Sequence, residues 1–221
     1  MLQALGHLLP LALAIAISSV PITATILILL SPKRNTTAVP FLVGWVLGMA
    51  LLVVLVDLLA NVLPESSRRK TPYLAVGEIV IGVAMMTLAV ISWRVGRGKE
   101  RASQDPAWLR AVGSVGALPA FGIAFALNFR PKGFLLGLAA GLAVHAANLT
   151  PGSAAVTIAI YTIIGASTVA LPIIFTLANP VGMQPRLVTA RSWLTTNSHI
   201  VTVVILLMIG VVIFGSGLSD L

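Results

Sequence analysis

The chain has no cysteine, which excludes disulfides, thiolate metal sites and thiol relay chemistry. Charge is almost as scarce. Asp, Glu, Lys and Arg make up 9% of the 221 residues, against about a quarter in a soluble domain. No phosphate-binding loop of the Gly-x-x-x-x-Gly-Lys type occurs, so the chain carries no ATP hydrolysis of its own. His7, His145 and His199 are isolated from one another and from any carboxylate in sequence, so no metal site or cofactor is expected. On the same spacing His145 is read as a hydrogen-bonded packing residue.

What remains is apolar. Hydrophobic residues are 58% of the chain and the mean hydropathy is +1.04, which makes this an all-α integral membrane protein by composition. The formal charge of +8 sits in short clusters between apolar runs. There it reads as topology signal and lipid contact rather than a nucleic-acid surface. Runs of about 20 apolar residues place spans at 5–30, 39–63, 73–93, 154–177 and 200–214, with a longer unit at 112–148. The first is read as a retained span and not a signal peptide, because no Lys or Arg precedes it. Residues 179–199 form a mixed segment with Arg186, Arg191 and Trp193, a candidate interfacial helix.

Six crossings put nine Lys/Arg in the loops after the odd-numbered spans and three, Arg68, Arg69 and Lys70, in those after the even ones. The excess predicts both termini outside and the central loop cytoplasmic, in a multi-pass protein of the cell membrane. That loop divides the chain into residues 1–95, a linker at 96–111, and residues 112–221.

One patch breaks the apolar pattern. Asn128-Phe129-Arg130-Pro131-Lys132-Gly133 lies in a stretch with no other charge between Val112 and Arg186. Cations within lipid are costly, and an interior proline frees a helix carbonyl, here that of Leu127. The unit is 37 residues long, about 55 Å if fully helical, too long for one straight crossing of a core about 30 Å thick. A helix that breaks or re-enters near Pro131 fits better. Pro21, preceded by Ser18 and Ser19, lies half a chain earlier. Two three-helix halves, each with its first helix broken or kinked at Pro21 or Pro131, form an inverted repeat. In such folds the paired breaks mark the substrate site, so Ser18, Ser19, Pro21, Asn128, Arg130, Pro131 and Lys132 are the candidate binding residues. Asp57, deep in the second span, is a candidate coupling carboxylate or counter-charge to Lys132 or Arg130, and Glu78 in the third is a weaker one. Gly44 and Gly48, and Gly133, Gly137 and Gly141, recur every four residues and read as helix-packing stripes. Trp93, Trp108 and Trp193 flank spans and read as interfacial anchors.

With this layout and Asn128, Pro131 and Lys132 in the second half, the chain resembles the LysE superfamily of small six-helix exporters. Two residues separate Asn128 from Pro131 where that family typically has Asn-Pro-Lys, and the first half has Ser-Ser-Val-Pro. These departures look more like its GAP branch, the glycolipid- and sulfolipid-addressing, Sap-like membrane proteins of actinobacteria. The resemblance implies a secondary-type exporter that moves an amphipathic or anionic small molecule, a lipid or glycolipid, toward the cell surface by alternating access. Two other readings stand beside it: an accessory or scaffold subunit of a lipid-export assembly, and an exporter of amino acids or other small metabolites. A lipid-modifying enzyme is disfavoured, because no nucleophile, base or metal cluster is gathered at one depth. Expected partners are membrane lipids and the substrate, with larger lipid-export machinery and a second copy of the chain as further candidates.

Overall fold

The computed structural model describes residues 2–62, 72–96 and 112–219. The central loop and the Arg68-Arg69-Lys70 loop, both used for the topology prediction, fall outside the described residues, as does Trp108. The described chain is helical with no strand: α1 (Leu2–Ala16), α2 (Ser19–Leu30), α3 (Arg34–Val62), α4 (Pro72–Gly96), a 3₁₀ turn (Val112–Ser114), α5 (Ala117–Leu127), α6 (Pro131–Ala146), α7 (Pro151–Ala178), α8 (Pro180–Thr196) and α9 (Ser198–Ser219). Two helices, α3 and α7, are long and apolar enough to cross a membrane, or three spans if the bent pair α1 and α2 counts as one. The remaining apolar helices are shorter. The segment at 179–199 is largely the helix α8, entered through Asn179, whose side chain accepts from Gly182 N–H at 3.0 Å.

Both expected breaks are present, and each falls just before its proline instead of at it. Helices α1 and α2 meet at a bend of 48° around Ile17 and Ser18, and Pro21 is the third residue of α2. Helices α5 and α6 are separated by Asn128–Arg130, and Pro131 opens α6. Proline is tolerated in a first turn, where its missing N–H has no partner to lose. The expected free carbonyl of Leu127 is also absent: it accepts from Arg130 N–H at 3.4 Å, after similar i+3 bonds to Phe125 and Ala126. The chain tightens into a 3₁₀ turn before it leaves the helix, so the break costs few hydrogen bonds.

Side chains supply the rest of the bonding at the breaks, as an apolar environment demands. At the first, the Thr168 hydroxyl of α7 donates to the Ala16 carbonyl at 2.6 Å. At the second, the Asn128 amide, buried at 1% exposure, donates to the carbonyls of Ala124 (3.2 Å), Trp45 (3.3 Å) and Phe125 (3.4 Å).

The direction of the second broken unit follows from its contacts with α3. Gly44 faces Phe121, Gly48 faces Phe125 and Asn128, Leu52 faces Gly137, and Val56 faces Gly141. Both sequences advance together, so α5 and α6 run on beside α3 in one direction and do not double back. Glycine permits the approach: a Cβ at Gly44 would lie 3.0 Å from the Phe121 carbonyl carbon, and one at Gly141 would lie 2.5 Å from Val56 Cβ. Helices α4 and α9 pack on each other antiparallel, with Gly82 against Gly210 and Phe214 and Gly210 against Met86. That pair of small residues was not among the expected stripes. The core between the units is built from Phe41, Met49, Val53, Ile15, Tyr161 and Val169, all buried.

Candidate functional site

The two breaks open onto one cavity of about 510 Å³, within the range of small-ligand sites, roughly 300–1,000 Å³. Its wall includes Ser18, Ser19, Val20 and Pro21 from the first break and Arg130, Pro131, Lys132 and Gly133 from the second. Apolar surface completes it: Ile15 of α1, Trp45 of α3, Leu127, Leu136 and, from α9, Ile205 and Ile209.

Local conformation explains why these residues face inward. Ser18 (φ −76°, ψ 118°) and Arg130 (φ −67°, ψ 152°) are extended N-cap residues, and neither helix has a side-chain cap. The first-turn amides of α2 and α6 therefore have no i−4 carbonyl and no capping oxygen. Each N-terminus carries the positive end of a helix dipole. Lys132 is half-buried and Arg130 exposed beside them, and among the described residues no carboxylate lines the cavity. Two helix N-termini and two cations around an apolar hollow are chemically compatible with an anionic group attached to an apolar body.

Of the residues singled out in sequence, Ser18, Ser19, Pro21, Arg130, Pro131 and Lys132 all line this cavity. Asn128 does not: it is the buried strut behind the wall, bonded across to Trp45. Gly133 lines the cavity and lies against the Asn128 main chain of its own turn, whereas Gly137 and Gly141 of the expected stripe meet α3.

Asp57 stands elsewhere. Its Oδ1 lies 3.7 Å from His145 Nδ1, at the far end of α6, with both side chains partly exposed. Thirteen residues separate His145 from Lys132, about 20 Å along the helix axis, so Asp57 is out of reach of Lys132 and Arg130 as a counter-charge. His145, isolated from any carboxylate in sequence, has one across the α3–α6 interface. Glu78 is in the first turns of α4 and its side chain lies outside the described residues. Among the described residues no group of three metal-ligating side chains converges.

Trp45 was missed. The three other tryptophans flank spans, whereas Trp45 sits within the second and is only 2% exposed. A tryptophan away from the interfacial belt, in a chain where each buried indole N–H needs an acceptor, was the available signal.

No curated protein and no solved structure matches the chain. A family model does, over residues 8–219, which takes in both broken units, the cavity and the helices that wall it. By that match the chain belongs to the family described as Sap, sulfolipid-1-addressing protein.

Proposed function

We propose that the protein is a secondary-type exporter that recognises the anionic head group of an amphipathic molecule, a lipid or glycolipid, in the cavity between its two broken helices. The observation that carries this reading is the convergence of the α2 and α6 N-termini, with Lys132 and Arg130, on a hollow whose remaining wall is apolar. A volume of about 510 Å³ suits a head group and a short length of chain, not a whole multi-chain glycolipid. The longer chains then remain in the bilayer, past Ile205 and Ile209. The family's sulfolipid-addressing description agrees with a lipid-export role.

The proposed architecture is six crossings in two inverted three-helix units, residues 1–95 and 112–221, with both termini outside and the linker cytoplasmic. In support, the packing is reciprocal: α3 of the first half lies on broken α5–α6 of the second, while α7 of the second lies on broken α1–α2 of the first. The third helices pair with each other. Such an exchange is what a pseudo-two-fold axis produces, and rocking one unit on the other would expose the cavity alternately to each side. Membership of the wider LysE superfamily rests on the paired breaks and on Asn128, Pro131 and Lys132.

The test is flux in proteoliposomes, with fluorescent anionic lipid analogues and amino acids offered in parallel, with and without a proton gradient. Export of the anionic lipid is expected, lost on Lys132→Ala or Arg130→Ala while the variants still insert and fold. Lipid flux unaffected by both substitutions refutes the site. Failure of a folded preparation to move either substrate class replaces the exporter reading with that of an accessory subunit.

A further inference from the structure

The wall of the cavity is held in two ways. Its polar side, with Ser18, Ser19, Arg130 and Lys132, belongs to helices that interlock: α3 packs on α2, α5, α6 and α7, and α7 on α1, α2 and α8 besides. Part of its apolar side is Ile205 and Ile209 of α9, and α9 packs chiefly on α4. Helix α4 makes no more than stray contact with any other described element. On it Gly82 and Ala89 are buried, whereas Val80, Leu88, Val90 and Ile91 are exposed and no charge falls between Ile79 and Trp93. Most of its circumference therefore suits lipid.

The two contacts of α9 are unequal. On α4 the backbones meet: a Cβ on Gly82 would lie 2.6 Å from the Phe214 nitrogen. On α1 the contact is much slighter, and neither helix carries an Asp, Glu, Lys or Arg to pin it. Lipid tails are as apolar as these side chains, so no hydrophobic effect presses α9 onto α1. Parting α9 from α1 costs less than parting it from α4.

We infer that α4 and α9 form a lateral door, moving as one body away from α1 to open the apolar side of the cavity to the bilayer. The inference rests on the reading of the cavity as a head-group site. A two-chain anionic lipid then enters sideways, its head group reaching Lys132 while its chains pass Ile205 and Ile209 without leaving the membrane. The polar wall stays whole as the door moves, because none of it lies on α4 or α9. Loading through the door precedes the rocking step and differs from it. Rocking carries α4 with α3, both in residues 1–95, whereas the door parts them and keeps α4 on α9.

The chain has no cysteine, so pairs introduced at exposed positions are its only thiols. The experiment spin-labels two such pairs in the full chain in phosphatidylcholine nanodiscs. One is Val43→Cys with Leu88→Cys, on α3 and α4; the other is Val80→Cys with Val204→Cys, on α4 and α9. Pulsed electron paramagnetic resonance reads the distances with and without phosphatidic acid, a two-chain anionic lipid. Phosphatidic acid lengthens the α3–α4 distance by about 4 Å, the contact distance that one interposed alkyl chain adds, and leaves the α4–α9 distance unchanged. Octyl phosphate, small enough for a hollow of about 510 Å³ to enclose, binds through Lys132 and moves neither. Two fixed distances under phosphatidic acid overturn the inference, as does a changed α4–α9 distance beside a fixed α3–α4 one. A door that octyl phosphate opens equally answers to charge and not to chains, which overturns the lateral route. If Lys132→Gln weakens octyl phosphate binding about tenfold while both distances stay fixed under phosphatidic acid, the door falls alone. If the wild type binds neither anionic amphiphile, the head-group reading falls with it.

Discussion

Gly48 lies against the side chain that braces the second break, so Gly48→Ala tests whether helix packing and site geometry are one device. The added Cβ would contact the Asn128 amide nitrogen and lie 3.1 Å from both Asn128 Cγ and the Phe125 carbonyl oxygen. Asn128 is buried and its amide serves three carbonyls, so it has nowhere to retreat without dropping bonds. Overpacking of this kind costs about 1–3 kcal/mol, and each weakened hydrogen bond about 0.5–1.5 kcal/mol. Replacing a mid-helix glycine returns at most about 1 kcal/mol. The expected net is a loss of about 1–4 kcal/mol. Gly122 is the control, because nothing lies within 4 Å of a Cβ there; Gly122→Ala should be neutral or stabilising by up to about 1 kcal/mol. The decisive quantity is the coupling with Asn128→Ala. Shortening Asn128 relieves most of the contact, so the double variant should be about 1–2 kcal/mol more stable than the sum of the single losses predicts. Reversible unfolding in mixed micelles, followed by circular dichroism, measures all four forms. A stabilised Gly48→Ala, or losses additive within about 0.5 kcal/mol, refutes the reasoning.

Asp57→Asn and His145→Ala should each leave octyl phosphate affinity within about twofold, since the pair lies about 20 Å along α6 from Lys132. A tenfold change in that affinity would show the pair coupled to the cavity after all. At the α4–α9 contact, a Cβ on Gly82 would meet the Phe214 nitrogen at 2.6 Å and the Gly210 oxygen at 2.8 Å, which are backbone and cannot give. On Gly210 the contacts are looser, with Met86 Cγ at 2.9 Å, the Gly82 oxygen at 3.0 Å and the Met86 nitrogen at 3.1 Å. Gly82→Ala should therefore destabilise by about 1–3 kcal/mol and Gly210→Ala by less, and unfolding midpoints in the same order of size or reversed would refute that packing.

The paired breaks were legible because their cause is local. Pro21 and Pro131 cannot continue a helix across the turn before them, and Arg130 with Lys132 in a charge-free run signals a place lipid does not reach. The class of the molecule was legible for the same reason: too few charges for a soluble surface leave only a membrane. Where the breaks fall was less so. The chain departs from the helix at Ile17–Ser18 and at Asn128–Arg130, because i+3 turns and side-chain donors, Thr168 of α7 and Asn128 of the break itself, take up the carbonyls there. The Thr168 donor comes from 152 residues away in sequence, and no local pattern carries it.

Asp57 shows the limit most plainly. Its depth in an apolar run marked it as significant, but a run of apolar residues carries no record of which helix faces it. Only the register of α3 on α6, set by glycines fitting against Leu52 and Val56, puts His145 opposite Asp57 and keeps both from the cavity. The same register buries Trp45 behind the break. Composition and proline placement alone determined a helical membrane protein with two interrupted units and cations at one of them. Tertiary structure decided that both interruptions share one cavity, that the first residues of α2 and α6 line it, and which side chains complete its wall. The first set follows from the properties of short stretches of chain. The second follows from which helix surfaces can approach closely, a relation between residues that lie far apart in sequence.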